Sequence, residues 1–244
     1  TVSTDTQRIQ IESGGSAQAS SGVASFPNLV VGGLIGSNYV LTFSVQYLDA
    51  NNVTQTVTRD SGVFTVQAGD ATALAVDISS QTVASRADLN DISVTVVDAY
   101  GNPAAFGTPT AIGLTVGTGA NLSPAAEPTG YSGPVNTHSN TSVATFSGLS
   151  LAGKVDSYDL TFSSGDLTPV VHTVELTHGA ATNLTITGPT NAANDKDFDT
   201  DVVVSIFDAD ANLVTTGPQS TQNIELSSAT TLTGTREISA TAGR

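Results

Sequence analysis

Asp208, Asp210 and Asn212 place three oxygen-bearing side chains at alternate positions of one short stretch, the spacing that lets a tight loop wrap a hard divalent cation. The run Asn194-Asp195-Lys196-Asp197-Phe198-Asp199-Thr200-Asp201 repeats that alternation with Asp195, Asp197 and Asp199. These residues are the candidate Ca²⁺ ligands. The first group departs from a full calcium loop, because Leu213 stands where a glycine gives the sharp bend and no bidentate Glu follows at the usual distance. The competing expectation is a solvated acidic turn that keeps the chain soluble. Asp49 with Asn51, and Asp88 with Asn90 and Asp91, are smaller groups of the same kind.

Other chemistry is sparse. His138, His172 and His178 are the only histidines, and none lies in a His-Glu-x-x-His or nucleophile-elbow pattern, so structural roles are expected for all three. Glycine pairs such as Gly117 and Gly119 fall in turn sequences with no helical pattern behind them, which gives no phosphate cradle. No enzymatic activity is expected. The long Gly/Pro-rich stretch from Gly117 to Asn140 carries Tyr131 and His138, the candidate ligand-binding residues, with a passive surface insertion as the alternative. Asn52, Asn121, Asn140 and Asn183 each open an Asn-x-Ser/Thr triplet, an acceptor only in a glycosylating secretory host.

Charge and composition narrow the classes further. The net charge is −15 with only 7 Lys plus Arg among 244 residues, so no basic patch exists to neutralise phosphates and nucleic-acid binding is excluded as an expectation. Cysteine is absent, which removes disulfide scaffolds, thiol chemistry and Cys-ligated zinc. No run of apolar residues is long enough to be read as a membrane-spanning helix. The chain opens on Thr1 without a basic-then-apolar leader and reads as a mature or excised piece of something longer.

The elements that must position these residues follow from an internal repeat. Gly69-Asp70-Ala71-Thr72-Ala73-Leu74-Ala75-Val76 returns as Gly179-Ala180-Ala181-Thr182-Asn183-Leu184-Thr185-Ile186, and Val94-Thr95-Val96-Val97-Asp98-Ala99 returns as Val204-Ser205-Ile206-Phe207-Asp208-Ala209. A second pair joins Val23–Leu29 to Val143–Leu149, followed by Tyr39-Val40-Leu41-Thr42-Phe43 and Tyr158-Asp159-Leu160-Thr161-Phe162. A period of about 110 residues is the mark of an array, in which one unit is copied to cover distance or present surface. The organisation expected is a partial module at 1–68 with the later strands, a complete module at 69–178, and a partial module at 179–244 with the earlier strands. Alternating apolar positions place strands of the complete module at about 72–78, 91–98, 110–116, 142–146, 157–163 and 171–177. Six or seven short strands in such a length suit an all-β fold of tandem immunoglobulin-like antiparallel β-sandwiches.

Asp156-Ser157-Tyr158-Asp159-Leu160 sharpens that expectation, since it is similar to the stretch opening the sixth strand of immunoglobulin folds, where a Tyr hydroxyl turns back to the backbone at the corner. Together with the turn Asp98-Ala99-Tyr100-Gly101-Asn102-Pro103, it resembles the bacterial Ig-like repeats of invasin- and intimin-type surface proteins. The resemblance implies modules of adhesin stalks, S-layer proteins or other extracellular fibres. The function expected is a structural component of an extracellular cell-surface layer or fibre, self-associating into a lattice or filament and stiffened by Ca²⁺ at its turns. The alternative is an adhesin that binds a host protein or glycan through its loops, and a third reading is an accessory module of a secreted polysaccharide-degrading enzyme. In the flanking modules Ile9 and Ile11 match Ile112 and Leu114, and so do Ile224 and Leu226. On that alignment two ends joined together hold too many strands for one sandwich, which favours a window of a longer array over completion of one chain's end by another's.

Overall fold

The computed structural model describes residues 2–3, 9–104, 112–117, 120–123, 142–191, 193, 196–227 and 237–244. The first segment holds β1 (Val2–Ser3), β2 (Ile9–Ser13), β3 (Val30–Gly33), β4 (Gly36–Tyr39), β5 (Thr42–Leu48), β6 (Thr54–Asp60) and β7 (Phe64–Val66). The middle segment holds β8 (Ala73–Val76), β9 (Ser80–Ala84), β10 (Ile92–Val97), β11 (Gly113–Val116), β12 (Ala120–Ser123), β13 (Val143–Phe146), β14 (Ser150–Gly153), β15 (Asp156–Ser163) and β16 (Val170–Thr177). The third holds β17 (Ala181–Thr187), β18 (Val203–Asp208), β19 (Asn223–Glu225) and β20 (Glu237–Ser239). The chain is all-β, and a single 3-10 turn at Pro218–Thr221 is the only helical element among the described residues.

Two-residue periodicity writes the middle core. Ile92, Val94 and Val96 point one way from β10, and Tyr158, Leu160 and Phe162 point inward from β15, all buried. The sheet β13-β10-β8 and the sheet β11-β15-β16-β9 contribute to one cluster with Phe146, Leu149, Leu151 and Val174. Phe146 and Phe162 meet edge to face across it, with ring centroids 4.7 Å apart. His172 is buried within the same layer: Nδ1 lies 2.9 Å from Ile78 O and Nε2 3.0 Å from Gln81 Nε2. A neutral ring donating from Nδ1 and accepting at Nε2 satisfies both, so His172 has the structural role expected of it.

The expected strands at 91–98, 142–146, 157–163 and 171–177 are present within a residue or so, while the first and third shorten to β8 and β11. Three strands lie outside the expected set, namely β9, β12 and β14. β9 also departs from a purely antiparallel arrangement, because it runs parallel to β16 with Leu176 opposite Val83. The cause is a break at 77–79. β8 pairs antiparallel with β10, and the chain then continues in the same direction onto the other sheet, where it meets β16.

Register corrects one equivalence. β1 pairs with β5 as Val2↔Phe43 and Ser3↔Thr42, just as β11 pairs with β15 as Leu114↔Phe162 and Thr115↔Thr161. β2 pairs with β3 through Ile9↔Gly33 and Gln10↔Gly32, as β12 pairs with β14 through Ala120↔Gly153 and Asn121↔Ala152. Ile9 and Ile11 are therefore counterparts of the β12 strand, and the match to Ile112 and Leu114 does not hold. The two apolar pairs share spacing, but the hydrogen-bonded partner decides which strand each belongs to.

The flanking segments bury little. Among the described residues, Ile9, Tyr39 and Leu41 are the buried apolar residues of the first, and Ile206, Val214 and Ala240 form the small cluster of the third. Leu184 and Ile186, which repeat Leu74 and Val76, are exposed. Val23–Phe26 repeats the sequence of β13 but forms no strand, apart from an isolated bridge between Ser20 and Val23.

Candidate functional site at the module junctions

The acidic turns lie where one segment meets the next. At the end of β18 the side chain of Asp208 folds forward over its own turn, and Oδ1 accepts from the backbone N–H groups of Asp210 at 2.9 Å and Asn212 at 2.8 Å. Oδ2 accepts from Gly179 N–H at 2.7 Å and from the Asn212 amide at 2.9 Å. Asn212 then reaches across the junction: its Nδ2 donates to Gly153 O at 2.9 Å, and its Oδ1 accepts from Val155 N–H at 2.9 Å. One amide thus closes both backbone groups that flank the β14–β15 corner of the preceding segment.

The first junction repeats this bond for bond. Asp98 accepts from Tyr100, Asn102 and Gly69 N–H and from the Asn102 amide, at 2.8–2.9 Å. Asn102 donates to Gly33 O and accepts from Ile35 N–H, both at 2.9 Å. Gly33 and Ile35 are the counterparts of Gly153 and Val155. The left-handed turn residue is Gly101 in one copy, with φ 79°, and Ala211 in the other, with φ 58°. The sharp bend sought at Leu213 is made two residues earlier.

A tyrosine braces the corner that each Asn grips. Tyr158 Oη donates to Lys154 O at 3.0 Å, and Tyr39 Oη donates to Leu34 O at 3.1 Å. The first corner has one residue more than the second, which a bulge at Asn38, φ 68°, absorbs between Gly36 and Tyr39. Tyr158→Phe is expected to cost about 1 kcal/mol in chemical denaturation and Tyr39→Phe a similar amount, since each removes a partly buried hydrogen bond to the corner without changing ring packing.

The two junctions differ at the third turn position. Asp210 pairs with Arg86 through Nε at 2.9 Å and Nη2 at 2.7 Å and accepts from Ser85 Oγ at 2.5 Å, while Lys154 Nζ donates to Ala211 O at 2.8 Å. Tyr100 stands in that place at the first junction and donates to Glu12, with its ring against Gly32, where a Cβ would collide with it. At the second, Gly179 is held so that an added Cβ would sit 2.7 Å from Ser85 O. Arg86 is exposed, so screening limits this pair. Arg86→Ala is expected to lower the urea midpoint slightly at low salt and not measurably in 1 M NaCl, read by urea titration at both ionic strengths.

These contacts set the charge state of the turns. Burial works against ionisation of Asp98 and Asp208, but the bonds from the Asn amide and the surrounding backbone N–H groups outweigh it and hold both carboxyls below the ordinary aspartate range. Asp210 is lowered chiefly by its bonds to Arg86, against its own burial.

Of the candidate calcium ligands, the structure brings Asp208, Asp210 and Asn212 into one turn and occupies their oxygens with N–H and O–H donors. Asp197 and Asp199 are exposed, and Asp195 lies outside the described residues. No group of three or more His, Asp or Glu converges to hold a metal among the described residues. Tyr131 and His138 also lie outside the described residues. Asp49 caps its own hairpin, accepting from Asn51 and Val53 N–H and from Gln55. The residues missed from sequence are Asn102, Gly69, Gly179 and the corner carbonyls. The available signal was the shared Asp-x-x-x-Asn spacing of the two turns, one copy of which had lost its second acid.

No family model matches the chain, and no curated protein matches it. Among solved structures it is similar to surface layer protein SbsC, domains 4–9, with 19% identity over 85% of this chain and a TM-score of 0.30. The chain spans 29% of the length of that structure.

Proposed function

We propose that this chain is a structural element of an extracellular cell-surface layer or fibre, built from tandem Ig-like sandwiches docked end to end. The observation that carries the reading is the repeated junction. A linker needs only to connect, whereas here the same Asp-x-x-x-Asn turn closes the same two backbone groups of the preceding segment twice. Such a clamp holds neighbouring modules at one fixed angle, and a fixed angle repeated along a chain makes a rod. The middle segment supports the Ig-like assignment by its two facing sheets and by the Tyr158 hydroxyl returned to the corner backbone. The net charge of −15 suits a surface that resists nonspecific association.

We also infer that this stiffness is independent of calcium at the turns, because a cation at Asp208 or Asp210 must displace donors already in place. The test is small-angle scattering with electron microscopy of the native protein, in calcium and then in chelator. A single stiff particle under both conditions is the expected result. A broad ensemble of bent conformers overturns the rod, and stiffness lost on chelation overturns the calcium-independent junction.

A further inference from the structure

We propose that each junction carries an address: the third residue of the docking turn, Tyr100 at the first and Asp210 at the second, selects the corner its module accepts, so the two turns are not interchangeable. The inference rests on the docked-module reading above and adds what specifies the neighbour. The Asp-x-x-x-Asn grip is common to both junctions and discriminates nothing, whereas the surroundings of the third turn residue are opposite in polarity. At the second junction the preceding segment supplies donors. Arg86 Nε and Nη2 and Ser85 Oγ donate to Asp210, and Lys154 Nζ donates to Ala211 O. At the first junction the preceding segment supplies an acceptor, and Tyr100 Oη donates to Glu12. Leu34, between Gly33 and Ile35, stands in the place of Lys154, so that corner carries no cation. One turn donates where the other accepts.

Shape separates the two corners as well. Gly32 is buried, and the three atoms nearest to a Cβ built on it all belong to Tyr100, with Cε2 at 2.7 Å and Cζ and Oη closer still. Its φ lies outside the left-handed region, so the backbone accepts a side chain there and the ring is what leaves no room. The counterpart of Gly32 is Ala152, because β2 pairs Gln10↔Gly32 where β12 pairs Asn121↔Ala152. A turn with Tyr at its third position therefore meets a methyl group at the second corner, and its ring must swing out of the groove that it fills at the first. A turn with Asp there meets the Glu12 carboxylate at the first corner. Glu12 is exposed, so water softens that repulsion, and the misfit is the sum of like charge, a lost hydrogen bond and lost ring packing. Discrimination of this kind works by penalising the wrong partner more than by strengthening the right one. Similar modules strung on one chain offer each other wrong corners as they fold, and an address in the turn keeps each module on the one that precedes it.

Exchanging the two residues tests the address at constant composition and charge. In the 244-residue protein, Tyr100→Asp together with Asp210→Tyr is expected to raise limited proteolysis in the strand-free linkers 67–72 and 178–180, mapped by mass spectrometry, about fivefold or more over wild type. Gly32→Ala isolates the part played by shape. It is expected to raise cleavage at 67–72 about tenfold while Tyr100 is present, and by no more than about twofold in a Tyr100→Ala chain, where the added methyl group has room. Cleavage at 178–180 stays at the wild-type rate in both Gly32→Ala chains, which shows that the remaining modules are folded. An exchanged chain cleaved like wild type at either linker, or a Gly32→Ala effect equal in the two backgrounds, overturns the proposal. The docked-module reading is judged separately, on the wild type: rapid cleavage at both of its linkers defeats docking, whereas a protected wild type with an equally protected exchanged chain defeats the address alone.

Discussion

Asp208→Ala is expected to lower stability by about 2–4 kcal/mol, with Asp98→Ala similar, because each leaves Gly, Asn and turn N–H donors without their acceptor in a buried site. The two carboxylates are nearly inaccessible, and each accepts four hydrogen bonds. Asn212→Ala is expected to do less to the turn and more to the junction, since its amide makes both bonds to Gly153 and Val155. Urea unfolding measures the first effect, and protease cleavage between segments measures the second. Acid provides an independent check. A carboxyl whose pKa is lowered on folding confers stability that is complete above its unfolded value of about 3.9 and is lost as pH falls through the lower folded value. The junctions are therefore expected to hold from neutral pH down to about 4 and to weaken below it, and the Asp→Ala variants are expected to lose that acid-side slope. Stability of the wild type that is unchanged between neutrality and strong acid contradicts the assignment.

Phe162→Ala is expected to cost about 3–5 kcal/mol, whereas Phe43→Ala, the same residue one repeat earlier, is expected to cost about 1 kcal/mol or less in the isolated chain. Phe162 has no exposed surface and packs against Phe146, and its removal leaves a cavity between two sheets. Phe43 has the same type of neighbour in Phe26, but it is only half-buried. Thermal or denaturant unfolding of the two variants compares them directly. If the two costs are equal, the first segment has a closed core and the half-open description is wrong.

Sequence by itself determined the all-β class, the repeat, the strands that alternate cleanly, and the tyrosine at the corner. Each of these is carried by local information: period-two burial in β10, β15 and β16, or a side chain reaching a backbone group a few residues away. It also singled out Asp208 and Asp98 as special turn positions. What those carboxylates do was decided by tertiary structure, because a ring of acceptor oxygens looks the same on paper whether a cation or a set of N–H groups fills it. The donors at Gly69 and Gly179, and the corner groups of Gly33 and Gly153, lie far away in sequence and become neighbours only when modules dock. Tertiary context likewise split near-identical sequence into different states. Val143–Phe146 is a strand because β10 lies beside it, whereas Val23–Phe26 is not one in this chain, where no such neighbour is present among the described residues. A strand is a pairing and not a property of its residues, and pairing is what a single sequence leaves open.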